Sequence, residues 1–174
     1  MMNLIITCAR HLEGDAEEEI IDILDELGDS DVKISVSSMS GIITVQTKLD
    51  PIEVVRKMRE MLLDEPWSIR YCLRVIPVQK VVETNIEEIE KTISSMSDQI
   101  EEKESYRILI EKRNSDISSK EIITKIANEI KNKVSLDFPD KIILIEILGI
   151  VTGISILKKS DILSLEKTKR SMSE

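Results

Sequence analysis

Apolar positions along this chain recur with two different spacings, and the switches between them mark out its elements. Leu4 to Cys8 is a short apolar run that predicts a strand. From Asp15 to Leu27 the spacing becomes helical: Ala16, Ile20, Ile23, Leu24 and Leu27 share one face, acids lie opposite, and Gly28 supplies a stop. Lys33 to Ser37 alternates, with Ile34 and Val36 on one side. Met39-Ser40-Gly41 then turns the chain into Ile42 to Thr47, where Ile43 and Val45 alternate with Thr44 and Gln46. Asp50-Pro51 opens a second helix with a capping acid and a proline at the first helical position. Its apolar face is Ile52, Val55, Met58 and Leu62. Pro66 ends it, and Trp67 to Val78 predicts a long strand.

The order is β-α-β-β-α-β, a ferredoxin-like arrangement for residues 1–80. In its last strand Ile69, Tyr71, Leu73 and Val75 point toward the helices, while Arg70, Cys72 and Arg74 join Ser35, Ser37, Thr44 and Gln46 on the opposite face. RNA-recognition domains stack bases on aromatics displayed there. With one Trp, two Tyr and one Phe in the chain, none on that face, such a mechanism is not expected.

Val78 to Asn85 reads as a boundary. Thr84 and Glu87 suggest a capping box for a helix striped by Ile86, Ile89, Ile93, Met96 and Ile100. A strand ending in a basic cluster, Tyr106 to Arg113, precedes a helix from about Ser118 to Val134 that should bury Ile122, Ile123, Ile126 and Ile130. Lys141 to Leu148 is nearly continuous in apolar residues, as in a strand covered on both faces, and Val151 to Leu157 follows. Residues 81–160 thus form a second domain and 161–174 a polar C-terminal tail. The whole is α+β.

At 174 residues and 41% hydrophobic, the chain can bury one good core or two small ones. No apolar run reaches the roughly 18 residues of a membrane span. The N-terminus lacks a basic leader and cleavage site, so a cytoplasmic location is expected, with Cys8 and Cys72 as buried free thiols. Charge is uneven. Residues 1–78 carry eight basic against fifteen acidic residues, a net of −7, whereas residues 105–174 carry thirteen against ten, a net of +3. An overall net of −9 opposes nonspecific polyanion binding, but the second half can present a local basic face.

Catalytic chemistry finds little support. Cys8-Ala9-Arg10-His11 is where a thiol, an arginine and the one imidazole come together, yet strand geometry does not bring Cys8 and His11 into reach. No His/Cys pair has ligand spacing, so no metal or cofactor is expected. Five glycines make no phosphate loop, and Glu17-Glu18-Glu19 reads as a solvated helix exterior. Binding is better founded. A helix starting at Ser118 offers unpaired amides and the positive end of its dipole, flanked by Lys112, Arg113 and Lys120, with Ser119 adding a hydroxyl. The bland alternative is that Ser118 merely caps the helix with Glu121 and the lysines are ordinary surface.

The ordered series Tyr106–Arg113, Ser118-Ser119-Lys120-Glu121-Ile122-Ile123, Lys133–Asp140, Ile145–Gly149 and Gly153–Ile156 resembles a THUMP domain. Leu49-Asp50-Pro51, Pro66-Trp67 and Leu73–Val78 resemble the ferredoxin-like module that precedes it. The pattern is similar to stand-alone THUMP proteins that serve as tRNA-binding adaptors in acetylcytidine formation. That resemblance implies a non-catalytic protein that grips the tRNA acceptor end and presents a cytidine to a separate acetyl-CoA-dependent RNA acetyltransferase. It assigns RNA contacts to Arg107, Lys112, Arg113, Ser119, Lys120 and Lys158, and makes Arg74 and Lys80 candidate groove residues. One departure from the pattern is the last hairpin, Gly149–Gly153, which is more apolar than a typical exposed turn and is expected to be covered by a partner instead of touching RNA. The alternative is a ferredoxin-like protein-interaction or regulatory module without a dedicated tRNA role.

Overall fold

A computed structural model describes residues 1–36 and 38–173. In chain order the elements are β1 (Leu4–Thr7), α1 (Glu13–Glu26), β2 (Lys33–Val36), β3 (Ile42–Gln46), α2 (Pro51–Asp64), β4 (Arg74–Pro77), β5 (Lys80–Glu83), α3 (Ile86–Met96), β6 (Tyr106–Arg113), α4 (Ser119–Glu129), β7 (Lys141–Leu148), β8 (Val151–Leu157), β9 (Leu163–Ser164) and α5 (Leu165–Met172). They form two compact units, 1–78 with 160–174, and 79–159. Both mix helices with sheet, so the fold is α+β.

The first unit is an antiparallel sheet in the order β2-β3-β1-β4-β9. Ala16, Ile20, Ile23 and Leu24 of α1 and Val54, Val55, Met58 and Leu62 of α2 pack on Leu4, Ile6, Ile43, Val45 and Val75. α2 starts as its sequence dictates, with Asp50 accepting from the Ile52 amide at 2.9 Å and Pro51 in the first turn. Gly41 has φ +75°, and a Cβ there would stand 2.7 Å from the Cys8 carbonyl oxygen, so the β2–β3 turn requires glycine.

Two expectations for this unit change. The run from Trp67 to Val78 is strand only over Arg74–Pro77, because Glu19 captures the amides of Arg70, Tyr71 and Cys72 at 2.8, 3.0 and 2.9 Å. Those amides are withdrawn from any ladder, the alternation breaks, and Cys72 enters the core instead of the opposite face. Residues 161–174 are not a tail: β9 pairs with β4, and Leu163 and Leu165 are buried in the same core. Ser35 and Gln46 are exposed, whereas Ser37 lies outside the described residues. Cys8 and Cys72 are free and buried.

The second unit has the sheet order β5-β8-β7-β6, with β6 parallel to β7 and the other pairs antiparallel. The parallel pair needs a crossover, which α4 provides. Ile89, Ile93 and Met96 of α3 and Ile122 and Ile126 of α4 cover one sheet face, made by Ile143, Ile145, Ile147, Ile154 and Ile156. Buried Tyr106 donates its hydroxyl to the Ile130 carbonyl at 3.1 Å, tying the end of α4 back to β6. Sequence reading runs α4 on to Val134, but it stops at Glu129, and its buried stripe repeats every four residues, leaving Ile123 exposed. The expected boundary holds a strand, β5, and the cap of α3 is Asn85, not Thr84, whose hydroxyl meets that of Thr152 at 2.8 Å. No helix among the described residues is long and apolar enough to cross a membrane.

Candidate nucleic-acid interface

The start of α4 is built by the turn that follows β6. Ser118 caps the helix by accepting from the Glu121 amide at 3.2 Å, and its carbonyl accepts from Ile122. The amides of Ser119 and Lys120 open the helix, where an α-helix has no internal acceptor for them. Lys112, at the end of β6, donates Nζ to the Ile117 carbonyl at 2.9 Å, which holds it over the turn and leaves its other two protons for a ligand. Lys112 and Lys120 are exposed and Ser119 is half-buried. These three residues are brought together. Acids share the neighbourhood: a depression of about 470 Å³ between the starts of α3 and α4 is lined by Glu87, Asp116 and Glu121, which offset part of the positive potential.

Arg113 departs from its expected role. Its Nη1 lies 3.1 Å from Oε2 of Glu146, a fully buried carboxylate on β7, while the arginine side chain keeps 29% of its exposure. The alternation of a strand explains the separation from Lys112. Tyr106, Ile108 and Ile110 face the helices, which places Lys112 on that side and Arg107, Glu111 and Arg113 on the other. Arg113 therefore neutralises a buried acid beneath the sheet.

The remaining candidates lie elsewhere. Arg107 is six residues before Arg113, about 20 Å along the strand, and donates to the Leu136 carbonyl at 3.2 Å. Its register partner Ile142 also pairs with Leu157, so Lys158 lies at the Arg107 end of the sheet. Lys80 sits on β5, three strands from β6 and so about 14 Å across the sheet. Arg74 belongs to the first unit, on β4 between Thr7 and Ser164. The hairpin tip is open to water at Ile150.

Sequence reading takes 131–134 as helix and counts Lys133–Asp140 in the THUMP resemblance, but it gives no site role to Leu136 and Phe138, which stand in solvent. A lone phenylalanine in a charged, proline-flanked run was the available signal. Burial pushes the Cys8 thiol up, helped by the charge of Glu13, and burial raises Cys72 further still. Among the described residues no group of three or more His, Cys, Asp or Glu side chains is placed to hold a metal ion.

Several solved structures share this architecture. PH1313 from Pyrococcus horikoshii Ot3 superposes with a TM-score of 0.64 at 19% identity, covering 94% of this chain and 55% of that one. TrmN from Thermus thermophilus gives 0.60 at 13% identity, covering 90% and 45%. A 4-thiouridine synthetase in complex with RNA and bound ATP gives 0.54 at 12% identity, covering 94% and 42%. At these identities the likeness is one of fold, and this chain spans about half the length of those structures. No curated protein matches the sequence. The THUMP domain family matches residues 83–157. That span takes in α3, β6, α4, β7 and β8, together with Lys112, Ser119 and Lys120, and the second unit thus contains a THUMP domain.

Proposed function

We propose that this chain binds tRNA as an adaptor in tRNA modification. It grips the acceptor end through the second unit and presents a cytidine to a separate acetyl-CoA-dependent RNA acetyltransferase. The observation that carries the reading is Lys112 held at the turn into α4, with Lys120 exposed in the first turn of that helix, inside the span that matches a THUMP domain. Likeness of fold to a synthetase solved with RNA supports the ligand class. The first unit, with its β-α-β-β-α-β order and strands arranged β2-β3-β1-β4, supports reading it as the ferredoxin-like module that accompanies such domains. Buried Cys8 and Cys72, with thiols raised by desolvation, are poor nucleophiles, which supports assigning the chemistry to another polypeptide.

The test is tRNA binding across a salt series. Lys112→Ala with Lys120→Ala should weaken binding by about 1–3 kcal/mol and reduce the log–log salt slope by about 2, one unit per lost phosphate contact. Trimming the acceptor end should abolish retention. Wild-type protein without salt-sensitive tRNA binding, or a double variant equal to wild type, overturns the reading.

A further inference from the structure

The 131–140 loop is fixed at many points yet faces outward with its apolar side chains. The Ser135 amide donates to the Tyr106 carbonyl at 3.0 Å, and the Phe138 amide donates to Ser135 Oγ at 3.2 Å. Asp140 accepts from the Ser105 amide at 2.8 Å and from its hydroxyl at 3.1 Å, which holds its carboxyl below the usual range. Arg107 reaches the Leu136 carbonyl. In spite of this anchoring, Val134, Leu136 and Phe138 stand 51%, 67% and 88% exposed. A loop under no other demand would turn its one aromatic inward, since apolar surface left in water is unfavourable.

We propose that this loop is a preformed stacking platform for an unpaired RNA base, with Phe138 as the ring and Arg107 and Lys133 on the adjoining phosphates. The proposal rests on the RNA-binding reading above and adds a second contact region, at the opposite end of β6 from Lys112. Charge selects a polyanion over an apolar protein segment. Lys131 and Lys133 are exposed on the loop and Lys158 lies at the same end of the sheet. Asp140 is engaged by Ser105, and the opposing exposed charges are Asp137 on the loop and Glu101 and Glu102, whose carbonyls accept from Asn132, against Arg107, Lys131, Lys133 and Lys158. An aromatic face accepts any base, and a platform already fixed loses little conformational freedom on binding.

The experiment measures affinity for an unstructured oligoribonucleotide and for a blunt RNA duplex, using the full chain. Phe138→Ala should weaken single-strand binding by about 5- to 100-fold, with an unchanged salt slope because no phosphate contact is lost. Phe138→Tyr should retain binding, duplex affinity should not move, and the thermal midpoint should stay put because the ring is solvent-exposed. Equal single-strand affinity for Phe138→Ala and wild type overturns the platform, while loss of tRNA binding on Lys112→Ala with Lys120→Ala would leave the functional reading standing. An equal loss on duplex and single strand, or a loss confined to a protein partner with RNA binding intact, also overturns it. Wild-type protein that binds tRNA but not the single strand does the same.

Discussion

Asp29 is buried after the end of α1, and its carboxylate accepts from the Thr47 hydroxyl at 2.6 Å, the Lys48 amide at 2.9 Å and the Asp31 amide at 3.0 Å. The Thr47 hydroxyl first, then the two amides, hold its carboxyl below the usual range. A folded-state value below the unfolded one, about 3.9, stabilises the fold fully above that pH. The contribution is lost as pH falls through the folded value. Asp29→Asn should therefore destabilise by about 1–3 kcal/mol at neutral pH and by less once the pH has fallen through the folded value, as read from urea melts at neutral and at acid pH. An equal loss at both would show that the charge plays no part. Glu19 illustrates why single residues are hard to read in advance. As one of three consecutive acids on a helix it has the signature of a solvated face, yet it anchors three amides from a segment about fifty residues away. Nothing local in Glu17-Glu18-Glu19 distinguishes the member that does so.

Among the elements, β7 and β8 coincide with the spans expected from their apolar runs, because a strand buried along its length leaves an uninterrupted hydrophobic record. β5 was missed because four residues with two valines between charges carry almost no pattern. The basic cluster closing β6 was legible as composition but not as geometry. Consecutive strand residues face opposite ways, so Lys112 and Arg113 cannot share one ligand, and the acid that claims Arg113 lies on the neighbouring strand. The pairing has an energetic consequence. Arg113→Ala removes the cation beside a buried carboxylate and should lower stability by about 2 kcal/mol, below the 3–5 kcal/mol typical of fully buried pairs because the arginine is partly exposed. Lys112→Ala with Lys120→Ala should be near neutral in the same denaturant melts. Stability unchanged by Arg113→Ala would show that Glu146 does not depend on it.

For the molecule as a whole, the charge asymmetry visible in the sequence does not follow the division into units: residues 79–159 carry thirteen basic against fifteen acidic residues, a net of −2, because 79–104 are acidic, and the division itself is not a single cut. The first unit is completed by residues 160–174, and the short polar run from Leu163 to Met172 gives no hint of this, since only Leu163 and Leu165 enter the core. Removing residues 160–174 should cost the first unit about 3–6 kcal/mol, from two buried leucines at about 1.5–3 kcal/mol each. Amide exchange at Val75 and Ile6 should accelerate accordingly, and unchanged protection there would show that β9 is dispensable.

A sheet closed by its own last strand also constrains how the polypeptide is made. While the ribosome is still delivering the second unit, the outer edge of β4 stays without its neighbour and the pocket for Leu163 stays empty. A nascent chain can finish its second unit before its first, reversing the usual N-terminal-first order of synthesis-coupled folding.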